Sequence, residues 1–295
     1  METCLIFNPS AKGQKAAAFR SRLGVLYPEC VVRLTRKAGD ARQLAAQAVH
    51  EGFGTVIAAG GDGTANEVVN GLADVPQGLA TVRLGIFPLG TINVFARELG
   101  LPRDLAGAAR TLQAGRELSI DLGRAEFTAN GHPQCRHFLQ LAGAGLDARA
   151  VELVSWELKK KAGPVAYAVA ALKALREAQP LIIVEGAGTA SGQLVLLGNG
   201  RFYGGSFEVF PKASLRDGLL DVCVMPTVSF WRPLQLALGL ATGGVHRFWT
   251  ARHFRSSTVT LRSSGRVGLQ LDGEYAGDLP VTFSVLSQAL RVIVP

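Results

Sequence analysis

Gly60, Gly61 and Gly63 surround Asp62 in the stretch "AAGGDGTANEVVNGL" (58–72), between an apolar run, "TVIAA", and the start of a helix. A chain that only turns does not need three glycines there. Three missing side chains suit a backbone that something large and polar approaches closely. Between a strand of a parallel sheet and a helix, the loop's N–H groups can hold phosphate oxygens, helped by the positive end of the helix dipole. The spacing is neither G-x-x-x-x-G-K-[ST] nor G-x-G-x-x-G, so a P-loop and a dinucleotide fingerprint are both excluded. Asp62 is an odd neighbour for phosphates unless a cation such as Mg2+ lies between them.

The elements that would carry this loop alternate. "CLIFNP" reads as a strand, followed by a helix from Gln14 to Leu23 and a strand at "VVRLT". Asp40, with Gln43 three residues later, caps a helix that runs to Gly52. Strands "TVIAA" and "RLGIFPLG" are each followed by a helix, "ANEVVNGLA" and "INVFAREL", the latter ended by Gly100 and Pro102. Such alternation predicts an α/β domain with a parallel sheet over residues 1–122. Beyond Asp121, short strands divided by glycines predict an antiparallel β-sandwich over 123–284, interrupted by helices near 147–160 and at "PVAYAVAALKALREA".

The chain has 295 residues and is 48% hydrophobic, too apolar for a disordered polypeptide. Cys4, Cys30, Cys135 and Cys223 are far apart and form no C-x-x-C pair, which argues against a zinc site or disulfide framework and for a reduced, cytoplasmic setting. No secretion signal and no membrane-spanning run is expected. Net charge is +8, and no acidic residue lies between Asp221 and Asp272. That stretch mixes Arg232, Arg247, Arg252, Arg255, Arg262 and Arg266 with Phe230, Trp231, Phe248, Trp249 and Phe254. It suits peripheral contact with an anionic membrane and, equally, an ordinary basic face over strands and one helix. No signature supports nucleic-acid binding. A homodimer is left open.

"GGDGTANEVVNGL" resembles the signature of the diacylglycerol kinase catalytic-domain superfamily, which includes bacterial soluble lipid kinases, sphingosine kinases and ceramide kinases. "NPSAKG", "LTRKAGDARQLA", "PLGTINVFARELGLP", "GNGRFYGGSFEVFPKASLRDGLLDV" and "LDGEYAGDLPVTFSV" resemble further family blocks, in family order from residue 4 to 295. The resemblance implies ATP-dependent phosphorylation of a lipid hydroxyl, with Mg2+, in a cleft between a nucleotide domain and a β-sandwich that takes the lipid. Residues 285–295 are a candidate last element of the first domain. Carried over by position, Asn8, Pro9, Ser10, Lys12, Thr35, Gly60, Gly61, Asp62, Gly63, Thr64, Asn66, Glu67, Gly90 and Thr91 are the implied nucleotide-site residues. Ser214, Asp217 and Leu219 match a structural-magnesium loop, and Glu274 matches the general base. An attacking alcohol needs its proton accepted, which a carboxylate folded back to the cleft can do. Asp62 and Asp121 could organise Mg2+ through water. One departure is Val94, where many soluble bacterial diacylglycerol kinases carry Asp; it weakens the expectation of a diacylglycerol acceptor, a sphingoid base or related lipid alcohol being the next.

Plainer roles stand beside these. Glu67 completes a T-x-x-E capping box with Thr64. Asp272-Gly273 is a good hairpin turn, which would leave Glu274 a solvated strand-end acid, and Asp217 before Gly218 suits a turn. Lys159, Lys160 and Lys161 suit a solvated helix end. The histidines have no ligand spacing. Two other functions remain: a NAD kinase, which shares the G-G-D-G loop, and a lipid- or nucleotide-binding protein of weak catalytic power, for which Val94 is the reason.

Overall fold

A computed structural model describes residues 2–11, 14–26, 29–153, 170, 173–174, 177, 180–205, 207–226 and 251–295. Lys12, the lysines 159–161 and the residues Phe230, Trp231, Arg232, Arg247, Phe248 and Trp249 of the basic–aromatic stretch lie outside them. So does most of the helix expected at 164–178.

The first part runs β1 (Thr3–Phe7), α1 (Gln14–Leu26), β2 (Cys30–Leu34), α2 (Asp40–His50), β3 (Thr55–Gly60), α3 (Asp62–Ala73), α4 (Gly78–Thr81), β4 (Arg83–Pro88), α5 (Val94–Glu98) and α6 (Leu105–Ala114). Then come β5 (Glu117–Ala129), β6 (His132–Phe138), β7 (Leu141–Gly145), α7 (Leu146–Leu153), β8 (Ile182–Glu185), β9 (Thr189–Gly192), β10 (Leu194–Gly198), β11 (Phe202–Tyr203) and β12 (Phe207–Glu208). Strands β13 (Leu220–Met225), β14 (Arg252–Ser256), β15 (Thr258–Ser263), β16 (Gly268–Leu271), β17 (Glu274–Asp278) and β18 (Val281–Ile293) complete the described chain.

Strands β2, β1, β3 and β4 pair in parallel, in that order. β1 and β3 are apolar and buried because helices cover both faces. Ala45, Val68 and Leu72 pack on one face, while Phe19, Ala109 and Leu112 pack on the other. The last residues of β18 extend the sheet, with Arg291 and Val292 parallel to Arg83 and Leu84. β5 and β18 pair antiparallel from Phe127↔Val281 to Glu117↔Ile293, with an irregularity between Leu286 and Leu290. Past it, the two strands belong to a sandwich sheet with β6, β15, β8 and β9. A second antiparallel sheet, β14-β13-β10-β7-β16-β17, faces it across a core that includes Phe138, Phe283, Val222 and Leu269. The expected architecture is present, and the expected boundary at residue 122 falls inside β5.

Helix starts differ from expectation. Asp40 does not cap α2 from the N-cap position, which Gly39 holds; the Asp40 carboxylate accepts from the N–H groups of Arg36 and Lys37 instead. Helix α6, absent from the sequence reading, is capped by Asp104, which accepts from Gly107 N at 2.7 Å.

Buried polar residues join the two parts. Asp121 is fully buried, and its carboxylate accepts from Gly218 N (2.7 Å) and Gln288 N (2.8 Å). Asn199 donates to the carbonyls of Asp121 and Leu139. Replacing Asp121 by Ala would remove both hydrogen bonds of a fully buried side chain, a loss of about 2 kcal/mol, read as a lower urea midpoint.

His137 sits at the same junction, its N–H held by Asn70 Oδ1 at 2.9 Å. Burial, helped by Arg124 and Arg42, pushes its imidazole down from 6.5 to about 4. The unfolded chain therefore takes up a proton between those values that the folded chain refuses. The stability that this residue contributes is present above pH ~6.5 and is lost as pH falls toward 4. Unfolding free energies at pH 4–7 should fall more steeply with acid for the native chain than for His137→Gln.

Candidate active site

The four parallel strands end at one edge, and the residues that follow them lie side by side. Asn8 N bonds Ala59 O (2.9 Å), Thr35 N bonds Phe7 O (3.0 Å), and Leu89 N and Gly90 N both bond Gly60 O (2.9 and 3.2 Å). Asn8 Nδ2 reaches Thr64 Oγ1 at 3.2 Å, and Ser10 N returns to Asn8 Oδ1 at 3.0 Å across Pro9. Thus Asn8, Pro9, Ser10, Thr35, Gly60–Thr64, Gly90 and Thr91 form one edge, at the carboxyl ends of the strands, where open α/β sheets take their ligands.

The glycines answer to the protein's own backbone first. A Cβ on Gly60 would lie 2.3 Å from Thr64 Oγ1, and one on Gly90 would lie 2.6 Å from the Cα of Gly61. Two loops therefore pack backbone against backbone, a need the sequence reading had given to an incoming ligand. Gly63 differs: a Cβ there would sit 3.1 Å from Glu274 Oε1. Helix α3 starts at Asp62 behind Gly61, which has no side chain to cap it, so its N-terminal end offers backbone N–H groups and a positive dipole end of the kind that suits an anion.

The acids around the loop divide. Asp62 Oδ1 accepts from Phe95 N at 3.1 Å and holds the start of α5; burial pushes its carboxyl up, against the opposing N–H groups of residues 93–95. Val94, the first residue of α5, thus lies beside a buried carboxylate, where a second acid would repel it. Asn93 shapes the adjoining loop at φ 55°, with Oδ1 on Gly90 N and Nδ2 on Gly90 O. Glu67 forms no capping box with Thr64, which lies inside α3. Its carboxylate spans to Gly39 N (2.9 Å) and Ala41 N (3.1 Å) and caps α2. Asn66 turns from the loop to the sandwich, donating to His137 O (3.0 Å) and Asp272 Oδ2 (2.7 Å). Asp121, expected to help organise Mg2+, spends both oxygens on backbone N–H groups of the 214–219 loop and of β18.

The sandwich contributes Glu274. Residues 272 and 273, both at positive φ (48° and 82°), form a two-residue hairpin between β16 and β17, with Leu271 paired to Glu274. Glu274 leads β17 with its side chain about half exposed; Oε1 faces Gly63 and Oε2 lies 3.8 Å from Arg136 Nη2. A carboxylate and a guanidinium therefore meet an uncapped helix N-terminus across the cleft. This arrangement can hold phosphate oxygens and accept a proton from a group brought beside them.

The expected metal loop is arranged otherwise. Asp217 Oδ1 accepts from Leu219 N at 3.1 Å, and its other oxygen pairs with Arg255, whose Nε also bonds Asp221 Oδ2 at 3.0 Å. Ser214 Oγ accepts from Arg216 N. The guanidinium takes the place a cation would need on Asp217, so Ser214, Asp217 and Leu219 as arranged do not fit Mg2+. No group of three or more His, Cys, Asp or Glu that could hold a metal occurs among the described residues.

Asn93, Arg136 and Asp272 were missed as site residues. Arg136 gives no sequence signal, because only the pairing of β5 with β6 brings it to the cleft. Asn93 lies in the "PLGTINVF" block, and the sequence around Asp272 signals a turn and nothing more.

Residues 2–125 match the diacylglycerol kinase catalytic domain, and residues 140–294 match the YegS C-terminal NAD kinase beta sandwich-like domain. A diacylglycerol kinase of Staphylococcus aureus (strain MRSA252) is 30% identical over 99% of this chain and 91% of its own length; one from strain JH9 is 32% identical over 88% and 81%. A solved diacylglycerol kinase from Bacillus anthracis str. Sterne shares the fold, with a TM-score of 0.71 and 21% identity over 100% of this chain and 97% of its own. Yeast NADH kinase shares it more loosely, with a TM-score of 0.56 at 10% identity over 100% of this chain and 84% of its own. No helix among the described residues is long and apolar enough to cross a membrane. With both domain matches in chain order and relatives aligned end to end, the chain belongs to the diacylglycerol kinase family and is a kinase that phosphorylates a hydroxyl acceptor.

Proposed function

We propose that this protein transfers the γ-phosphate of Mg-ATP to the hydroxyl of a membrane lipid, with diacylglycerol as the leading acceptor and a sphingoid base or related lipid alcohol as the next. The observation that carries this is Glu274 Oε1 lying against Gly63, which puts a carboxylate at the uncapped start of α3. The curated relatives named diacylglycerol kinase support the choice of acceptor.

The backbone N–H groups of the α3 first turn, with Asn8, Thr64 and the Gly90–Thr91 loop around them, would hold the nucleotide's phosphates. Asp62 is the acid of this chain that would face a Mg2+ carried by the nucleotide, and that ion would supply positive charge to the phosphates. Glu274 accepts the proton of the attacking hydroxyl. Arg136, beside Glu274, adds positive charge where negative charge develops on the transferred group. The lipid's apolar remainder would stay with the membrane while its hydroxyl enters the cleft.

Incubated with labelled Mg-ATP and mixed micelles of diacylglycerol, sphingosine, ceramide or monoacylglycerol, the native protein should yield one labelled lipid. Glu274→Gln should lose about 10²- to 10⁴-fold of that rate while binding the nucleotide within about threefold of the native affinity. Label appearing in NAD, offered as a soluble control, would overturn the lipid assignment. Ala suits a helix interior, so Gly63→Ala should fold; its methyl would sit 3.1 Å from Glu274 Oε1 and shift that carboxylate slightly, and kcat should drop by a few-fold with α3 intact by circular dichroism.

A further inference from the structure

We propose that Asp272 is a positioning residue, whose buried carboxylate ties the hairpin bearing Glu274 to helix α3 and thereby sets the base over the glycine loop. This rests on the reading of Glu274 as the base.

For the turn alone, Asp272 is an extravagant choice. A two-residue hairpin with both central residues at positive φ takes Asn-Gly as readily as Asp-Gly, and Asn would bury no charge. Here the side chain is held in the interior by four donors. Oδ2 accepts from Leu139 N (2.7 Å) and Asn66 Nδ2 (2.7 Å), and Oδ1 accepts from Gln140 N (2.9 Å) and Leu141 N (2.9 Å). All four are donors, so the site is built for an acceptor with no hydrogen to offer, which is a carboxylate and not an amide. Burial pushes the Asp272 carboxyl up, while these donors oppose it. One of them comes from another domain: Asn66 belongs to α3, whose first turn is the glycine loop.

The turn is braced from its other side as well. Gly273 N donates to Gln270 Oε1 at 2.7 Å, and Gln270 Nε2 donates to Asp147 Oδ2 at 2.7 Å. Asp147, itself buried, also accepts from Tyr203 Oη. The backbone that launches Glu274 is therefore fixed within the sandwich by Gln270 and fixed to α3 by Asp272. Only the second connection crosses to the glycine loop.

Two variants of the full-length protein test this. Asp272→Asn keeps the turn, since Asn tolerates positive φ, but turns an amide nitrogen toward the ring of donors. Asn66→Ala removes the α3 donor to Asp272, together with the Asn66 bonds to His137 O and Asn70, and leaves the hairpin's other three donors and the Asn70–His137 bonds in place. With Mg-ATP and the lipid labelled in the panel above, kcat per nucleotide-binding site should fall about 10- to 100-fold in Asp272→Asn, as expected for a reacting group misplaced by about 1 Å. It should fall by a smaller factor in Asn66→Ala, with KM for ATP within about threefold in both. A spectroscopic reading does not depend on turnover. The Gly63 amide resonance should shift when Glu274→Gln is made in the native chain, and that shift should be lost when the same change is made with Asp272→Asn. An unchanged kcat per binding site, a loss carried entirely by KM, or a Gly63 shift that persists with Asp272→Asn would each overturn the proposal. A fully active Glu274→Gln enzyme would instead overturn the base assignment and, with it, the purpose of the link.

Discussion

Strands β5 and β18 pair along nearly their whole length, from Glu117↔Ile293 in the α/β part to Phe127↔Val281 in the sandwich. That shared ladder is what allows a residue of a sandwich hairpin to be held against a loop of the parallel sheet. Two domains on a flexible linker would leave Glu274 and Gly63 to meet by chance. A backbone ladder broken only at the irregularity between Leu286 and Leu290 carries hydrogen-bond geometry from one to the other, and the reacting groups of an enzyme must be held to within a fraction of an ångström.

The ladder sets the domains coarsely, and buried polar side chains finish the placement. Asp121 fastens the 214–219 loop to β18, Asn199 fastens β5 to the residue after β6, and Asn66 with Asn70 fastens α3 to His137. Such groups are costly to bury unless every partner is in place. They stabilise one relative orientation rather than merely adding area. Apolar contacts between the sheets could slide; a carboxylate with four donors cannot.

Glycine spacing illustrates how one pattern can have two causes. Gly60 and Gly90 are small because Thr64 and Gly61 lie against them, whereas Gly63 is small because Glu274 does. Only the last contact is chemical, yet the sequence writes all of them the same way. Acids show the same ambiguity. Asp62, Glu67, Asp121 and Asp217 all looked like phosphate or metal partners, and three of the four turn out to complete helix starts, a buried junction or an ion pair with Arg255. Asp62 itself holds the start of α5 as well as facing the loop.

The sequence by itself determined the α/β-plus-sandwich architecture, the loop after β3, and Glu274 as the acid to watch, because these rest on local periodicity, turn chemistry and ordered family blocks. It offered residues 285–295 only as a candidate last element of the first domain, without a place in the sheet, and it could not show that Arg136 and Asp272 reach the cleft. Those depend on contacts between residues far apart in the chain, such as Asn66 with Asp272 and β18 with β4. A side chain's partner across such a distance is fixed only when the sheets pack, since hydrogen bonds and ion pairs select among whatever groups packing brings within about 3 Å.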